Sequence, residues 1–162
     1  MKKTTISILI FGIFLALSTG CSNQKDLESS NDVRENKTIN DNNMQIVVQG
    51  GGNKTVTFQL YDSIAAKSLY EQLPINIEVE NYSDNEKIFY PAKKLDVGDT
   101  PLAKGPKGTL AYYEPWGDVV MFYGDCDGAS GLYALGEAIS GSEQIKELTG
   151  DIYIREVVKD TK

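Results

Sequence analysis

Aromatic and acidic side chains cluster between residues 112 and 127, and they are the strongest candidates for chemistry in this chain. The single tryptophan, Trp116, follows Pro115 in a turn-forming string, and the acids Glu114 and Asp118 flank it. An indole held in a turn could line a groove for a peptide or a flat ligand, or it could fold back and plug one end of the fold. The two acids could transfer protons or cleave a glycoside, or they could be solvated loop residues.

The side chains around this turn are our candidate ligand-binding residues. Tyr112 and Tyr113 are neighbours on one predicted strand, so they point to opposite faces: one belongs to the core and the other can join Trp116. The candidate ligand-binding residues are Tyr113, Glu114, Trp116, Tyr123 and Asp125. No residue is assigned a catalytic role, because nothing in this pattern marks a nucleophile.

The residue composition excludes several classes of enzyme and metal site. The chain has no histidine and two cysteines, so it lacks a Ser-His-Asp triad, a Cys-His pair and histidine-ligated zinc. Residues 125–128, Asp-Cys-Asp-Gly, look like part of a calcium loop, but Ala129 and Gly136 stand where such a loop has oxygen ligands. An Asp-Gly turn fits this string better. We therefore expect no metal and no cofactor.

The second cysteine, Cys126, lies between two acids, Asp125 and Asp127. Their negative charges oppose formation of the thiolate, which is the nucleophilic form of cysteine. We therefore expect Cys126 to be a small buried side chain or an unreactive loop thiol.

The elements that position these residues are predicted to be short strands. Runs of alternating apolar residues between glycine-rich turns predict about eight strands in a domain covering residues 44–158, with a tail at 159–162. Asp62 or Ser63 is predicted to cap a first short helix, and Ser142 is predicted to cap a second one that Gly150 closes. The strand Val119–Tyr123 is apolar on both faces and is therefore expected to be central. This pattern favours a barrel or a sandwich.

The amino-terminal residues are typical of a bacterial lipoprotein signal. Lys2 and Lys3 precede an apolar stretch that ends at Leu17, and small residues then lead to Cys21. The string Leu17-Ser18-Thr19-Gly20-Cys21 resembles a lipobox, which implies cleavage before the cysteine and acylation of its thiol. We expect residues 1–20 to be the signal peptide and the mature protein to be anchored at the extracytoplasmic face of the cell membrane by lipid on Cys21. The alternative is an ordinary cleaved signal with a chance cysteine.

The segment 21–43 is predicted to be a flexible linker between the lipid and the domain. Its polar composition cannot bury enough apolar surface to offset the entropy of ordering it.

The whole chain carries a formal charge of -7, which argues against nucleic acid as a partner. Anionic lipids of the membrane repel an acidic domain, so the lipid attached to Cys21, and not a basic patch, must hold the protein at the membrane.

Several motifs follow one another in a familiar order: Gly108-Thr109-Leu110-Ala111-Tyr112-Tyr113, Pro115-Trp116-Gly117-Asp118, Phe122-Tyr123-Gly124-Asp125 and Leu148-Thr149-Gly150-Asp151. This order resembles a bacterial cyclophilin-like family, some of whose members are secreted lipoproteins. The resemblance covers residues 44–158. It implies a mainly β fold, a closed barrel of about eight strands with two short helices covering its ends.

The resemblance does not carry the prolyl isomerase site of the namesake cyclophilins to this chain. That site places an arginine beside a histidine, whereas this chain has no histidine and its two arginines are Arg34 in the linker and Arg155 in the last strand.

We expect a membrane-tethered extracytoplasmic binding module for a peptide, a partner protein or a small ligand. The alternatives are a weak prolyl isomerase or folding factor outside the cell, and a purely structural envelope protein. The pattern leaves the oligomeric state open.

Overall fold

A computed structural model describes residues 44–158 of the chain, and these residues form a mainly β structure. The predicted signal peptide, Cys21, the linker and the tail at 159–162 lie outside the described residues. The strands and helices are β1 (Gln45–Gly50), β2 (Lys54–Leu60), α1 (Ile64–Tyr70), β3 (Ile75–Tyr82), β4 (Glu86–Phe89), β5 (Thr109–Tyr113), β6 (Asp118–Phe122), β7 (Leu132–Ser140), a 3₁₀ helix (Ser142–Glu147) and β8 (Gly150–Glu156). Neither helix of this part of the chain has the length and apolar character needed to cross a membrane.

The eight strands close into an antiparallel barrel in the order β1-β2-β7-β5-β6-β4-β3-β8. The barrel closes where β1 pairs with β8, with Val48 opposite Ile154. Closure leaves no free strand edge among these eight strands, so every strand has two hydrogen-bonded neighbours. The predicted fold class, a closed barrel of about eight strands with two short helices, is confirmed.

Strand β6 separates two apolar clusters, as its sequence predicts. Val119 and Met121 face the barrel interior, where they pack with Tyr112. Val120 and Phe122 face outward into a second cluster. Loop residues complete that second cluster, because the segments that follow β4 and β6 fold over the outer wall and pair at Gly105 and Cys126. This covered outer wall supports the site described below.

Helix α1 begins as predicted. The hydroxyl oxygen of Ser63 accepts a hydrogen bond from the amide of Ala66 at 3.2 Å, which satisfies one of the free N–H groups of the first turn. The helix ends at Tyr70, and its buried residues include Ala65, Ala66 and Leu69.

The prediction that Ser142 caps the second helix is wrong. The cap residue is Gly141, with φ of 74°, and no side chain caps the helix. A Cβ at Gly141 would overlap the carbonyl oxygen of Thr55, so the left-handed backbone and the close approach both require glycine there. Ser142 is consequently the first residue of a 3₁₀ helix, and Gly150 begins β8 instead of closing the helix.

Strand β7 contains a glycine that a close approach also requires. The strand runs through Gly136 and continues to Ser140. A Cβ at Gly136 would overlap the carbonyl oxygen of Gln59 on β2. The glycine therefore allows the two strands to approach each other closely and does not end one of them.

Candidate functional site

A groove opens on the outer wall of the barrel, above β4, β5 and β6, with a cavity volume of about 180 Å³. We call it the outer groove. Its lining consists of aromatic, acidic and small apolar side chains: Tyr82, Glu86, Tyr113, Trp116, Asp118, Val120, Phe122, Ala129 and Leu132. The groove combines an apolar floor with a few polar groups, as ligand pockets generally do.

Side-chain alternation along two paired strands builds this groove. Tyr112 is 0% exposed and lies in the barrel core, so its neighbour Tyr113 points to the outer wall. Tyr113 lies opposite Asp118 in the β5–β6 pairing. On the other side of β6, Glu86 lies opposite Phe122. The pairing of β4, β6 and β5 therefore brings these side chains to one face.

Three aromatic rings form one wall of the outer groove. The ring centres of Trp116 and Tyr82 are 5.2 Å apart with an interplanar angle of 88°, and those of Trp116 and Tyr113 are 5.5 Å apart at 78°. Such edge-to-face contacts hold aromatic rings in place. Trp116 remains 51% exposed, so the interpretation that it plugs the end of the fold is wrong. The tight turn explains this orientation, because the amide of Gly117 donates to the carbonyl of Tyr113 at 2.8 Å and leaves the indole on the outside.

The carboxyl group of Asp118 lies buried in the outer groove. Asp118 is only 2% exposed, and its Oδ1 atom is buried without a hydrogen-bond partner among the described residues. Burial raises the pKa of Asp118, and a hydrogen bond from its own backbone N–H offsets part of that rise. The interpretation of Asp118 as a solvated loop acid is therefore wrong: it begins a buried strand.

A second carboxyl group, that of Glu86, lines the same groove and is half-buried. Burial raises the pKa of Glu86, and the negative charge of Asp118 raises it further. No lysine or arginine lines the groove. The stem of Lys94 lies 3.8 Å from the position of a Cβ on Gly117, but Lys94 is outside the lining. The outer groove is therefore an acidic site with no basic side chain in its lining.

The sequence profile of the cyclophilin-like family matches residues 50–155, which include every strand of the outer groove. The chain belongs to the cyclophilin-like family. The solution structure of a hypothetical protein from Archaeoglobus fulgidus has a similar fold, with a TM-score of 0.59 at 14% sequence identity over 74% of this chain and 99% of that one. No curated protein matches this sequence.

The cyclophilin-like barrel brings together two of the five predicted ligand-binding residues, Tyr113 and Trp116. Glu114 is exposed and outside the groove, and its backbone N–H donates to the carbonyl of Gly131 at 2.9 Å. Tyr123 also lies outside the groove: its hydroxyl donates to the side-chain oxygen of Asn81 at 3.0 Å.

Asp125, the fifth predicted residue, lines a separate surface depression with Cys126 and Lys104. Its backbone carbonyl accepts a hydrogen bond from the side-chain amide of Asn85 at 3.0 Å. Cys126 is buried, and burial is the main cause that raises the pKa of its thiol, while the charge of Asp127 adds a smaller effect. The described part of the chain has no group of three or more Cys, Asp and Glu side chains that could hold a metal ion.

Of the nine residues that line the outer groove, only Tyr113 and Trp116 were candidates, and the residues that were missed include Tyr82, Glu86 and Asp118. Tyr82 and Glu86 enclose a turn and were given no role, and Asp118 was considered only as an acid in a turn. The alternation rule that placed Tyr113 outward also applies to Tyr82 and Glu86, which share one face of the β3–β4 hairpin. The alternation rule does not predict which strands pair, and no local pattern indicates that β4 pairs with β6.

Proposed function

We propose that this cyclophilin-like domain is a binding module that holds a ligand in the outer groove and is tethered to the extracytoplasmic face of the membrane by lipid on Cys21. The observation that carries the proposal is the buried, unpartnered Oδ1 atom of Asp118 beside an exposed aromatic wall. A buried acceptor without a partner costs about 1–3 kcal/mol, so Oδ1 of Asp118 gains free energy when a ligand supplies a hydrogen-bond donor.

The size of the groove limits what it can hold. Its cavity volume of about 180 Å³ is close to that of engineered protein cavities of roughly 150 Å³, which hold one benzene molecule. The groove therefore accommodates one ring, one headgroup or one side chain of a peptide. A larger ligand would bind with a single group inserted and the remainder on the surface.

The single tryptophan offers a direct test of binding, because all indole fluorescence of the protein comes from Trp116. The full chain is titrated with N-acetyl amino acid amides that represent apolar, aromatic, acidic, amide and basic side chains. We expect a saturable change in emission with at least one class. Replacing Tyr113 with alanine should weaken that binding by up to about tenfold, since an aromatic contact contributes about 0.5–1.5 kcal/mol.

The matched control for this titration is Glu114→Gln, because Glu114 belongs to the same turn but lies outside the groove. We expect it to bind like the wild type. Absence of a saturable response to every class, or binding that Tyr113→Ala leaves unchanged, would contradict the proposal.

The membrane tether gives a separate prediction. Because Cys21 ends a lipobox-like string, Cys21→Ala should leave the signal peptide uncleaved and the protein without lipid. Mass spectrometry of the membrane fraction measures both changes. A mature wild-type protein that carries no lipid on Cys21 would contradict the prediction.

The alternative of a weak prolyl isomerase also has a test. Arg155 is the one arginine among residues 44–158, and it lies on β8 between β1 and β3. Its guanidinium donates a hydrogen bond to the backbone carbonyl of Glu156 at 3.2 Å. It does not line the outer groove, so it cannot act on a proline bound there. We predict isomerisation of proline peptides near the uncatalysed rate, unchanged by Arg155→Ala, in a peptide isomerisation assay. Robust activity that Arg155→Ala abolishes in a folded protein would favour the enzyme.

A further inference from the structure

The acidic groups of the outer groove favour a positively charged ligand. Asp118 and Glu86 supply two carboxyl groups, and no basic side chain of the lining balances them. Neither acid forms an ion pair with a lysine or arginine within residues 44–158. The side chain of Asp118 is buried, so bulk water and salt screen its charge only weakly. A positively charged group entering the groove would therefore gain a strong interaction that the protein itself does not satisfy.

The aromatic wall is also suited to a cation. Tyr82 and Tyr113 each meet Trp116 nearly at right angles, so the rings form the sides of a corner and are not stacked on one another. A cation within about 6 Å of a ring centre is attracted by the negative face of the ring, most strongly for tryptophan. Aromatic cages are a recurring way of recognising ammonium groups, and here a buried carboxyl group lies beside the rings.

Resting on the proposed function, we propose that the outer groove selects a protonated amine that carries a short aliphatic chain and at least one N–H. The N–H donates to the free Oδ1 atom of Asp118, and the aliphatic carbons pack on Val120 and Phe122. This requirement for a donor distinguishes the ligand from a quaternary ammonium, which can make the aromatic contact but cannot donate to Asp118.

Other ligand classes satisfy the groove less well. Asp118 and Glu86 repel an anion, and the chain as a whole has a formal charge of -7. A neutral alcohol can donate to Asp118 but does not offset its charge. The protonated amine can be a free alkylammonium or the side chain of a lysine in a peptide, and the cavity volume of about 180 Å³ admits the end group of either.

The test compares probes of matched size by their effect on Trp116 fluorescence and by calorimetry, using the full chain. The probes are n-butylammonium, n-pentanol, pentanoate and tetramethylammonium. We expect n-butylammonium to bind at least about tenfold more tightly than each of the others. A second arm of the test uses N-acetyl-lysine amide and its norleucine analogue. Tighter binding of N-acetyl-lysine amide than of n-butylammonium identifies the ligand as a lysine side chain of a peptide. Tighter binding of n-butylammonium identifies it as a free amine.

The variants Asp118→Asn and Glu86→Gln link this selectivity to the groove. Each should weaken binding of n-butylammonium by about tenfold or more, with Asp118→Asn the larger effect, whereas Glu114→Gln should stay within about twofold of the wild type. Glu86 is half-buried, so Glu86→Gln keeps the test decisive if Asp118→Asn fails to fold.

The outcomes separate this inference from the proposed function. If pentanol or pentanoate binds as tightly as n-butylammonium and Tyr113→Ala weakens that binding, the groove binds ligands but the inference of a cation is wrong. If n-butylammonium binds equally well to Asp118→Asn and Glu86→Gln, the amine does not occupy this groove and the inference is also wrong. If none of these probes binds but an aromatic or amide class of N-acetyl amino acid amide does, the inference is wrong and the proposed function stands; if no class binds at all, both are contradicted.

Discussion

Tyr112→Ala should lower the free energy of unfolding by about 3–5 kcal/mol, the usual cost of deleting a large aromatic ring from a core. Tyr112 is fully buried inside the barrel, and its hydroxyl oxygen accepts a hydrogen bond from the amide of Leu95 at 3.3 Å. The same substitution at the neighbouring Tyr113 should cost about 1 kcal/mol, the centre of the distribution for point substitutions, because this ring is only partly buried against the outer apolar cluster. Urea unfolding of the two variants measures the difference.

Tyr112→Phe is the matched control for this comparison. It keeps the ring but leaves the amide of Leu95 without its acceptor, so we expect a loss of about 1–2 kcal/mol. A larger loss at Tyr113→Ala than at Tyr112→Ala would mean that the two faces of β5 are assigned the wrong way round.

Asp118→Asn should make the protein more stable at neutral pH while it removes the proposed ligand contact. The folded state raises the pKa of Asp118, so folding favours its protonated form and holds more protons than the unfolded chain does. The stability linked to this group is therefore fully present below the ordinary pKa of 3.8 and is lost as the pH rises through the raised value. Asparagine cannot ionise, so the variant keeps this stability as the pH rises.

We expect the variant to be more stable than the wild type at pH 7, where aspartate carries a buried charge and asparagine does not, and to match it near pH 3, where the carboxyl group is protonated. The measurement is urea unfolding of both proteins across this range. The pKa of Glu86 is also raised, so Glu86→Gln should show a smaller difference with the same sign. Glu114→Gln, outside the groove, controls for the general loss of a negative charge. A variant less stable than the wild type at pH 7 would show that Asp118 stabilises the fold.

Local sequence patterns specify much of this fold, and particular residues show why. The run Val119–Tyr123 predicted a strand buried on both faces, because the period of side-chain direction needs only neighbouring residues. Strand β6 is such a strand, although it begins at Asp118 and ends at Phe122. The same rule separated Tyr112 from Tyr113. Ser63 was a recognisable cap because its acceptor and the amide of Ala66 are close in the chain.

The outer groove was only partly predictable because it is assembled by long-range pairing. Glu86 meets Phe122 across two strands that are far apart in sequence, and no local pattern specifies that neighbour. Tyr82 reaches Trp116 only because β3 and β4 form one hairpin beside β6. The same limit applies to Gly141, whose role as a cap depends on contact with the backbone of Thr55. The sequence identified the tryptophan turn and its two flanking strands, but not the pairing of β4 with β6 that brings Glu86 beside them.

Binding of the ligand in the outer groove can be observed residue by residue. Chemical-shift mapping of the full chain with n-butylammonium is the most direct measurement, because each amide reports on its own surroundings. We expect saturable shifts that share one dissociation constant at Tyr82, Glu86, Tyr113 and Asp118 and at the indole N–H of Trp116. Shifts that are confined to the depression around Lys104 and Cys126, or that never saturate at the groove, would contradict it.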